Sequence, residues 1–534
     1  MGDWRGRDFQ AGGRSVVVAG EAAAATSHPL ATLAAIETLR AGGTAIDAAI
    51  CAAAVLAVVE PESTGIGGDC FVLMSVAGSD RVMAYNGAGR AGAAADPNWF
   101  LKRGIQTIDP DSIHAVTVPG AVEAWCRLAE DHGRLGIDRL LQPAIHYAEQ
   151  GFGVTPRVAF DWQLGAPRLA RHPTSARLYL KNGKPPQVGD RMQLPNLAKA
   201  LREILWKGKA GFYEDWVAED IVRTLKAEGS LITLEDLAAH RGEYALPIKT
   251  SYRGLDVWEC PPPGQGLTAL LMLNILSQFP SVGPAPLSPE RLHLEIEAAK
   301  LAYAARDRHI ADPDHAKVPV EALLSQEHAK ALAREIDPDR AMRAPRARVL
   351  ETHPDTVYLT VVDRDRNAVS FINSLYYQFG SARATERSGM LLQNRGACFR
   401  VEPNHPNCIG PSKRSMHTII PAMVTGEGRV VLSFGVMGGD YQPMGQVHIL
   451  TNLLDFGMDP QAAIDCPRVH HEDGIVGVET GIPEPLFLAL SDRGHKVLRP
   501  DLPMGGGQAI AIDWKRGVLL AGSDSRKDGC ALGF

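Results

Sequence analysis

The sequence predicts an α/β protein in which a mostly helical first part is followed by a strand-rich last part. Residues 28–41 have helical apolar spacing and end at a glycine pair, a common signal for a helix C-terminus. Residues 45–59 are apolar all round, as in a helix that is buried on most sides. From residue 356 onward, strand-like segments dominate, beginning with TVYLTVVD and AVSFINSL on either side of a DRDRN turn.

Further elements follow from the same patterns along the chain. Thr44 and Asp47 fit a capping box at the start of the second helix. A glycine-rich turn, TGIGGDCF, leads into FVLMSVAG and RVMAYNG, which predict a hairpin. We also predict helices at 137–151, 216–228, 266–278, 289–307, 442–456 and 484–492, and strands at 429–434 and 509–514.

The sharpest boundary in the chain lies at about residue 355. Residues 343–355, RAPRARVLETHPD, are polar and basic and contain two prolines, which predicts an exposed linker. We therefore divide the chain into a large region, 1–355, and a small region, 356–534.

The composition argues against several classes of protein. A net charge of −6 and a pI of about 6.3 do not fit a protein that binds nucleic acid through a basic surface. The eight cysteines contain no CxxC pair, so we expect free, buried thiols rather than zinc ligands or a disulfide scaffold. The apolar stretch at 45–59 is too short to span a membrane. No secretory signal is visible, so we expect a cytoplasmic protein, or a periplasmic one if a signal has been removed.

Thr356 stands where the predicted linker meets a strand, a position that suits a self-processing nucleophile. Cleavage of the Asp355–Thr356 bond would free an α-amino group beside the threonine hydroxyl, so that base and nucleophile belong to one residue. If the hydroxyl attacked the preceding carbonyl, the cleavage would be autocatalytic. Threonine is also a common strand residue, and position alone leaves that structural interpretation open.

The segment GVMGGD, 435–440, follows a predicted strand directly. Its adjacent glycines, Gly438 and Gly439, would let two backbone N–H groups converge on one oxygen, as an oxyanion hole requires. A tight strand-to-helix turn is the alternative. His470 and His471 are neighbours that would face opposite sides of a strand, and no HExxH spacing occurs, so we expect no metal site and no cofactor.

Many sequence blocks together resemble the γ-glutamyltransferase family of N-terminal-nucleophile hydrolases, also called the glutathione hydrolase family. The resemblance runs from about residue 16 to the C-terminus, with the blocks in the same order and spacing. They are AGGTAIDAAICAAAVLAVVEPESTGIGGDCFVL, VTVPGAVEAW, LQPAIHYAEQGF, ITLEDLAAH, PPPGQG, EAAKLAYAARDRHIADPD, DTVYLTVVDRDRNAVSFINSL, GVMGGD and SDSRKDG.

The resemblance implies a four-layer αββα fold, made by one precursor that cuts itself between Asp355 and Thr356. It implies that the large and small chains stay together as one structural unit, and it leaves a homodimer of the cleaved unit open. Thr356 matches the family's nucleophile, and Gly438 and Gly439 match its oxyanion-hole glycines. Ser374 matches a threonine whose hydroxyl contacts the nucleophile, and serine keeps that hydroxyl.

The residues that recognise glutamate in the family match poorly. An aspartate that binds the substrate's α-amino group falls on Cys398, and the segment between Phe399 and Lys413 is too short for the usual lid. Arg395 replaces a glutamine and suits a carboxylate or a dicarbonyl oxygen, unless it pairs with a structural acid such as Asp440. Tyr376 stands where the family has an asparagine, and His417 and Thr418 stand where it has two adjacent serines. The family's arginine has a rough counterpart in Arg90, about two positions out of register.

Three functions follow as hypotheses. The first is an autoprocessing hydrolase or acyl transferase that cleaves γ-glutamyl or related amides through a threonyl ester. The second keeps this chemistry for a small acid without a free α-amino group, such as oxamate or a glutaryl amide; the SLYY…QNRG pattern is similar to the oxamate amidohydrolase and cephalosporin-acylase branch. The third is a non-catalytic scaffold that remains one uncut chain.

Overall fold

The computed structural model describes residues 12–343 and 354–534, and of residues 354 and 355 the backbone alone. Most of the predicted linker, 344–353, lies outside the described residues. Within the described ranges, no helix is long and apolar enough to cross a membrane.

The strands of the described residues are, in chain order, β1 Val17–Ala19, β2 Ala23–Thr26, β3 Asp69–Ser75, β4 Val82–Gly87, β5 Phe152–Gly153, β6 Arg191–Met192, β7 Glu243–Ala245, β8 Ile248–Tyr252, β9 Leu255–Glu259, β10 Pro354–Val362, β11 Ala368–Tyr377, β12 Ala422–Gly426, β13 Arg429–Met437, β14 Val469–Glu472, β15 Ile475–Val478, β16 Lys496–Leu498, β17 Gly506–Asp513, β18 Val518–Ser523 and β19 Cys530–Gly533.

The α-helices of the same residues are α1 Pro29–Arg40, α2 Ala45–Val59, α3 Pro97–Leu101, α4 Ala121–His132, α5 Ile137–Leu140, α6 Gln142–Gln150, α7 Pro156–Ala170, α8 Pro173–Tyr179, α9 Pro195–Lys207, α10 Ala210–Tyr213, α11 Trp216–Lys226, α12 Leu234–Ala238, α13 Gly266–Leu276, α14 Pro289–His309, α15 Val320–Leu323, α16 Gln326–Ala333, α17 Gln442–Leu454, α18 Pro460–Asp465 and α19 Glu484–Asp492. Short 3₁₀ turns lie at Ile113–Ala115, Arg395–Cys398 and Gly439–Tyr441.

Two seven-stranded antiparallel sheets form the centre of the molecule. The β10 sheet has the order β19-β2-β10-β11-β3-β4-β7, and the β13 sheet has the order β1-β18-β17-β13-β12-β9-β8. Both sheets contain strands from the large region and from the small region. The two regions therefore share one hydrophobic structure rather than forming separate domains.

Four layers are stacked around three apolar cores. Between the sheets, Phe71, Tyr358 and Ile372 of the β10 sheet pack with Met423, Met437 and Ile510 of the β13 sheet. The outer face of the β10 sheet is covered by helices that include α1, α2 and α4, and the outer face of the β13 sheet by α13, α14 and α17. The αββα sandwich implied by the resemblance is confirmed.

Most predicted elements are present with small shifts at their ends. The capping box at Thr44 and Asp47 forms, and every residue of α2 is buried. The helix predicted over 137–151 is instead divided between α5 and α6, because Pro143 in the first turn of α6 cannot donate a backbone hydrogen bond. The strand predicted to begin at Thr356 begins at Pro354, since the backbone of residues 354 and 355 continues the pairing with β11.

Candidate functional site

Thr356 lies near the start of β10, on the face of the strand that points between the sheets. It is fully buried, and its hydroxyl oxygen lies 3.0 Å from the hydroxyl oxygen of Ser374 near the end of β11. The register of the two strands shifts between residues 355 and 357: two residues of β11, Ser374 and Leu375, lie opposite Thr356, so the bulge lies on β11 beside Thr356. A bulge re-aims a side chain out of the regular ladder, and bulges are frequent beside active sites.

The hydroxyl of Ser374 is itself held by two N–H donors. The backbone N–H of Tyr376 donates to it at 2.9 Å, and Nη2 of Arg395 donates at 3.1 Å. Tyr376 has a φ of 84°, a left-handed conformation that is uncommon for a bulky residue. The hydrogen bond to Ser374 stabilises this backbone conformation, and Tyr376 and Tyr377 remain paired with residues 355 and 354 of β10.

Gly438 and Gly439 follow β13, and β10 packs against the 439–441 turn. Both glycines have positive φ, 115° and 56°, a region that other residues adopt only with strain. A Cβ on Gly438 would lie 2.8 Å from Cα of Gly505, so the backbones approach too closely for any side chain. Two other glycines allow similarly close backbone approaches: a Cβ on Gly68 would meet the carbonyl oxygen of Ser374 at 2.3 Å, and a Cβ on Gly505 would meet that of Met437 at 2.3 Å.

Gln265 and Arg306 hold this glycine turn, and neither residue was assigned a role from the sequence. Nε2 of Gln265 donates to the carbonyls of Gly439 at 2.9 Å and Thr418 at 2.8 Å, while Oε1 accepts from Nη1 of Arg306 at 2.9 Å. Arg306 also forms an ion pair with Asp440. Gln265 belongs to the PPPGQG block and Arg306 to the EAAKLAYAARDRHIADPD block. Gly439 and Asp440, which they contact, are far away in sequence, so neither block by itself indicated these contacts.

Arg395 is a buried cation beside the predicted nucleophile. Its side chain is 0% exposed, its Nη1 donates to Thr418 Oγ1 at 2.8 Å, and its guanidinium carbon lies 4.4 Å from the centre of the Tyr376 ring. Among the described residues no carboxylate pairs with it, and its Nε has no hydrogen-bond partner. Asp440 pairs with Arg306 instead, so the alternative of an Arg395–Asp440 ion pair is wrong.

Cys398 lies beside Arg395 and Tyr376 at the position where the family has an acid. Burial raises the pKa of its thiol, and the positive charge of Arg395 only partly opposes that shift. The side chain is therefore a neutral thiol at pH 7, and it cannot form an ion pair with an ammonium group. All eight cysteines are free, as the sequence predicted.

His417 is occupied by partners within the protein. Its Nε2 lies 2.7 Å from a carboxylate oxygen of Asp69, its Nδ1 lies 2.8 Å from the carbonyl of Ser415, and its ring stacks on Phe71. Burial lowers its pKa, although the hydrogen bond to Asp69 opposes that shift. Asp69 also accepts from the backbone N–H of Gly89 and Gly120 and from Gln393, so it organises this side of the site.

The remaining predicted substrate residues differ in position. Thr418 adjoins the site through its contact with Arg395. Arg90 does not: it lies 3.2 Å from Asp314 and 3.7 Å from Asp312, donates to the carbonyl of Ser412, and is absent from the described lining of the cleft next to the site. Its positive charge is already balanced by acids of the protein.

A cleft of about 140 Å³ opens in front of these buried groups. It reaches Tyr376, Cys398 and Asp440, which follow Ser374, Arg395 and Gly439 closely in sequence. Its lining includes Asp307, Asp440, Glu472 and Asp473, and desolvation together with the charge of Asp440 raises the pKa of Glu472 to about 7. Residues 400, 405 and 407 of the short 399–413 segment also line this cleft.

One group of side chains has the composition of a metal site, namely His293, Glu297 and His495. The ammonium group of Lys300 already lies 2.6 Å from Glu297, and the two histidine rings are hydrogen-bonded to each other at 2.8 Å. A divalent cation would have to compete with Lys300 and break the bond between the rings. The group instead holds the chain at residues 337–342, through the carbonyl of Asp337 and the backbone N–H of Met342.

The four-layer sandwich, with a strand-end threonine opposite a glycine turn, is the architecture of the N-terminal-nucleophile hydrolases. The chain belongs to the γ-glutamyltranspeptidase family, whose sequence profile matches residues 31–534. It is therefore an enzyme of the hydrolase and acyl-transferase type that defines this family. The membership predicted from the sequence blocks is confirmed.

The chain is similar to several relatives over nearly its whole length. It is 40% identical to the glutathione hydrolase-like YwrD proenzyme of Bacillus subtilis over 95% of this chain and 97% of the relative. It is 34% identical to the oxamate amidohydrolase proenzyme of Klebsiella pneumoniae over 96% of this chain and 98% of the relative. The crystal structure of cephalosporin acylase from Bacillus halodurans superposes with a TM-score of 0.92 at 38% identity, covering 100% of this chain and 99% of that one.

Proposed function

We propose that this protein is an autoprocessing amide hydrolase, that Thr356 is both its cleavage residue and its nucleophile, and that its substrates are amides of small acids without a free α-amino group. The acyl part of such a substrate carries a carboxylate or a second carbonyl. One observation carries the choice of substrate: Arg395 is a fully buried cation that has no carboxylate partner among the described residues.

Autoprocessing begins with the Thr356 hydroxyl oxygen. It attacks the carbonyl carbon of residue 355, and the bond from that carbon to the nitrogen of Thr356 breaks. The nitrogen takes up the hydroxyl proton and becomes a free amine, while the acyl group moves to the threonine oxygen as an ester. Water hydrolyses this ester, which leaves a new C-terminal carboxylate at 355 and restores the hydroxyl of Thr356.

The same hydroxyl then serves the substrate amide. The free α-amine of Thr356 accepts the hydroxyl proton as the oxygen attacks the amide carbonyl, and passes it to the leaving amine. The N–H groups of Gly438 and Gly439 stabilise the negative charge that develops on the carbonyl oxygen. Water, or an acceptor amine in a transfer reaction, resolves the threonyl ester. These steps require no metal and no cofactor.

Charge decides between the acyl groups. Burying an unpaired cation costs several kcal/mol, and a substrate carboxylate or dicarbonyl oxygen at Arg395 would recover part of this energy. An ammonium group in the same place would meet the Arg395 cation and a neutral Cys398 thiol.

A γ-glutamyl substrate is the second candidate, since the family profile and a glutathione hydrolase-like relative support it. The names of an oxamate amidohydrolase and a cephalosporin acylase among the similar proteins favour the first. A substrate panel separates the two. We expect glutaryl anilide and oxamate to be hydrolysed with higher kcat/KM than γ-glutamyl anilide, and a large preference for γ-glutamyl anilide would refute the assignment of Arg395.

A denaturing gel separates both enzymes from a non-catalytic scaffold. We expect two bands, with N-terminal sequencing of the smaller one starting at Thr356. Thr356→Ala should remain a single 534-residue chain and show no hydrolysis of any panel substrate. A Thr356→Ala protein that is cleaved or active would exclude the mechanism.

A further inference from the structure

Three side chains form a continuous hydrogen-bonded line at the centre of the site. Arg395 Nη2 lies 3.1 Å from Ser374 Oγ, and Ser374 Oγ lies 3.0 Å from Thr356 Oγ1. All three residues are 0% exposed. The line therefore connects a permanent positive charge to the oxygen that the proposed function identifies as the nucleophile.

The direction of the hydrogen bond between the two hydroxyls follows from the partners of Ser374. A hydroxyl oxygen has two acceptor lone pairs and one hydrogen to donate. Both lone pairs of Ser374 are occupied by N–H donors, one from the backbone of Tyr376 and one from Arg395. We therefore assign the hydrogen of Ser374 to its contact with Thr356, with Ser374 as the donor and Thr356 Oγ1 as the acceptor.

We propose that Arg395 is a positioning residue which, through Ser374, stabilises the negative charge that develops on Thr356 Oγ1 as this oxygen attacks. This inference rests on the proposed role of Thr356. The guanidinium group polarises the O–H bond of Ser374, and hydrogen bonds in such a chain strengthen one another. No proton leaves Ser374 or Arg395: the proton of Thr356 goes to its own nitrogen, as described above.

The surroundings keep the guanidinium group in this position. Thr418 accepts from Nη1 at 2.8 Å, and the Tyr376 ring covers one face of the group. Arginine stays charged at any pH that proteins tolerate, so burial cannot remove the positive charge by deprotonation. The remaining N–H groups can still bind a substrate acid, and the two roles of Arg395 are compatible.

Autoprocessing separates this role from substrate binding, because the precursor cuts itself before any substrate is bound. We would synthesise the full chain in a cell-free system and follow loss of the 534-residue band with time. Arg395→Met removes the charge-assisted hydrogen bond to Ser374, so we expect its rate of precursor cleavage to be about ten- to a hundredfold lower than that of the wild type. Arg395→Lys keeps the charge and a donor, and should recover part of the rate.

Arg383→Met is the matched control. Arg383 is also a buried arginine, hydrogen-bonded to Glu228 and to the carbonyl of Asp111, but it does not contact Ser374. We expect its loss to lower thermal stability without slowing cleavage of the folded precursor. Equal slowing by Arg383→Met and Arg395→Met would overturn the inference, and so would equal rates for Arg395→Lys and Arg395→Met.

A double-mutant cycle with Ser374→Ala tests the connection itself. If Arg395 acts through Ser374, Arg395→Met should add little to the slowing caused by Ser374→Ala. If the slowing factors of the two single variants multiply in the double variant, Arg395 does not act through Ser374 and the inference is refuted. Where Ser374→Ala cleaves too slowly to measure, the comparison of Lys and Met at 395 decides. Cleavage of Thr356→Ala would refute the proposed function, whereas wild-type cleavage of Arg395→Met would refute this inference alone.

Discussion

Replacing Gln265 by leucine should disable the glycine turn while the fold persists. Gln265 is fully buried, and its side chain makes three hydrogen bonds, to the carbonyls of Gly439 and Thr418 and to Arg306. Leucine has a similar volume, so the main loss is polar. The two buried carbonyls left without a donor cost about 1–3 kcal/mol each, so we expect the free energy of unfolding to fall by about 2–6 kcal/mol.

The effect on catalysis should exceed the effect on binding. Among the predicted substrate residues, the Gln265 side chain contacts Thr418 at its backbone carbonyl, whereas it holds Gly439 of the proposed oxyanion hole directly, and loss of one oxyanion donor reduces kcat about 10²- to 10³-fold. We therefore expect kcat on the best panel substrate to fall about 100-fold with a much smaller change in KM. Gln278→Leu, at a glutamine that bonds to Asn274 and Gln326 instead, is the matched control and should keep its kcat. A Gln265→Leu enzyme with wild-type kcat would refute the view that this side chain positions the turn.

Three further predictions follow from other parts of the molecule. Gly438→Ala should fold but lose at least about 100-fold in kcat, because a Cβ at φ 115° would meet Gly505 at 2.8 Å; wild-type kinetics would contradict this. Asp524→Ala, in the SDSRKDG block, should lower the free energy of unfolding by about 3–5 kcal/mol in denaturant titrations, because it leaves Arg468 buried without its partner; an unchanged midpoint would contradict it. The melting temperature should fall as the pH is lowered from 7 toward 5. Desolvation depresses the pKa of several buried histidines below 6.5, to about 4 for His28, His240 and His470 and to about 3 for His471 and His495. As the pH falls, the unfolded state therefore binds more protons than the folded state and the stability contributed by these histidines is lost; a flat profile in calorimetry would contradict this.

Features that depend on neighbouring residues could be predicted from the sequence. The capping box of Thr44 and Asp47 needs only three residues of separation, and the apolar run of α2 indicates a helix buried on all sides. The hairpin of β10 and β11 follows from two strand-like segments around DRDRN. Thr356 and Ser374 lie on this one hairpin, although their contact was expected from the family resemblance rather than from the strand pattern.

Features that depend on distant residues could not be predicted in this way. Gln265 and Gly439 are 174 positions apart, and Asp69 and His417 are 348 apart. No periodicity or spacing signals such pairs, because they meet only when the two sheets stack. His417 illustrates the result: alignment placed it at a substrate position, whereas the stacked sheets bring it against Asp69.

The position of Arg395 connects specificity to reactivity. Thr356, Ser374 and the glycine turn are held largely by strand ends and backbone geometry, so a change of acyl group need not disturb them. Arg395 is different, because Nη2 contacts Ser374 while Nε has no partner among the described residues, and the proposed function assigns the substrate acid to this same side chain. A substitution at 395 that restored the family's glutamine would therefore alter substrate preference and also remove the cation from the hydrogen-bonded line. We expect such a variant to mature more slowly, so a change of substrate at this site has to be selected together with a compensating donor to Ser374.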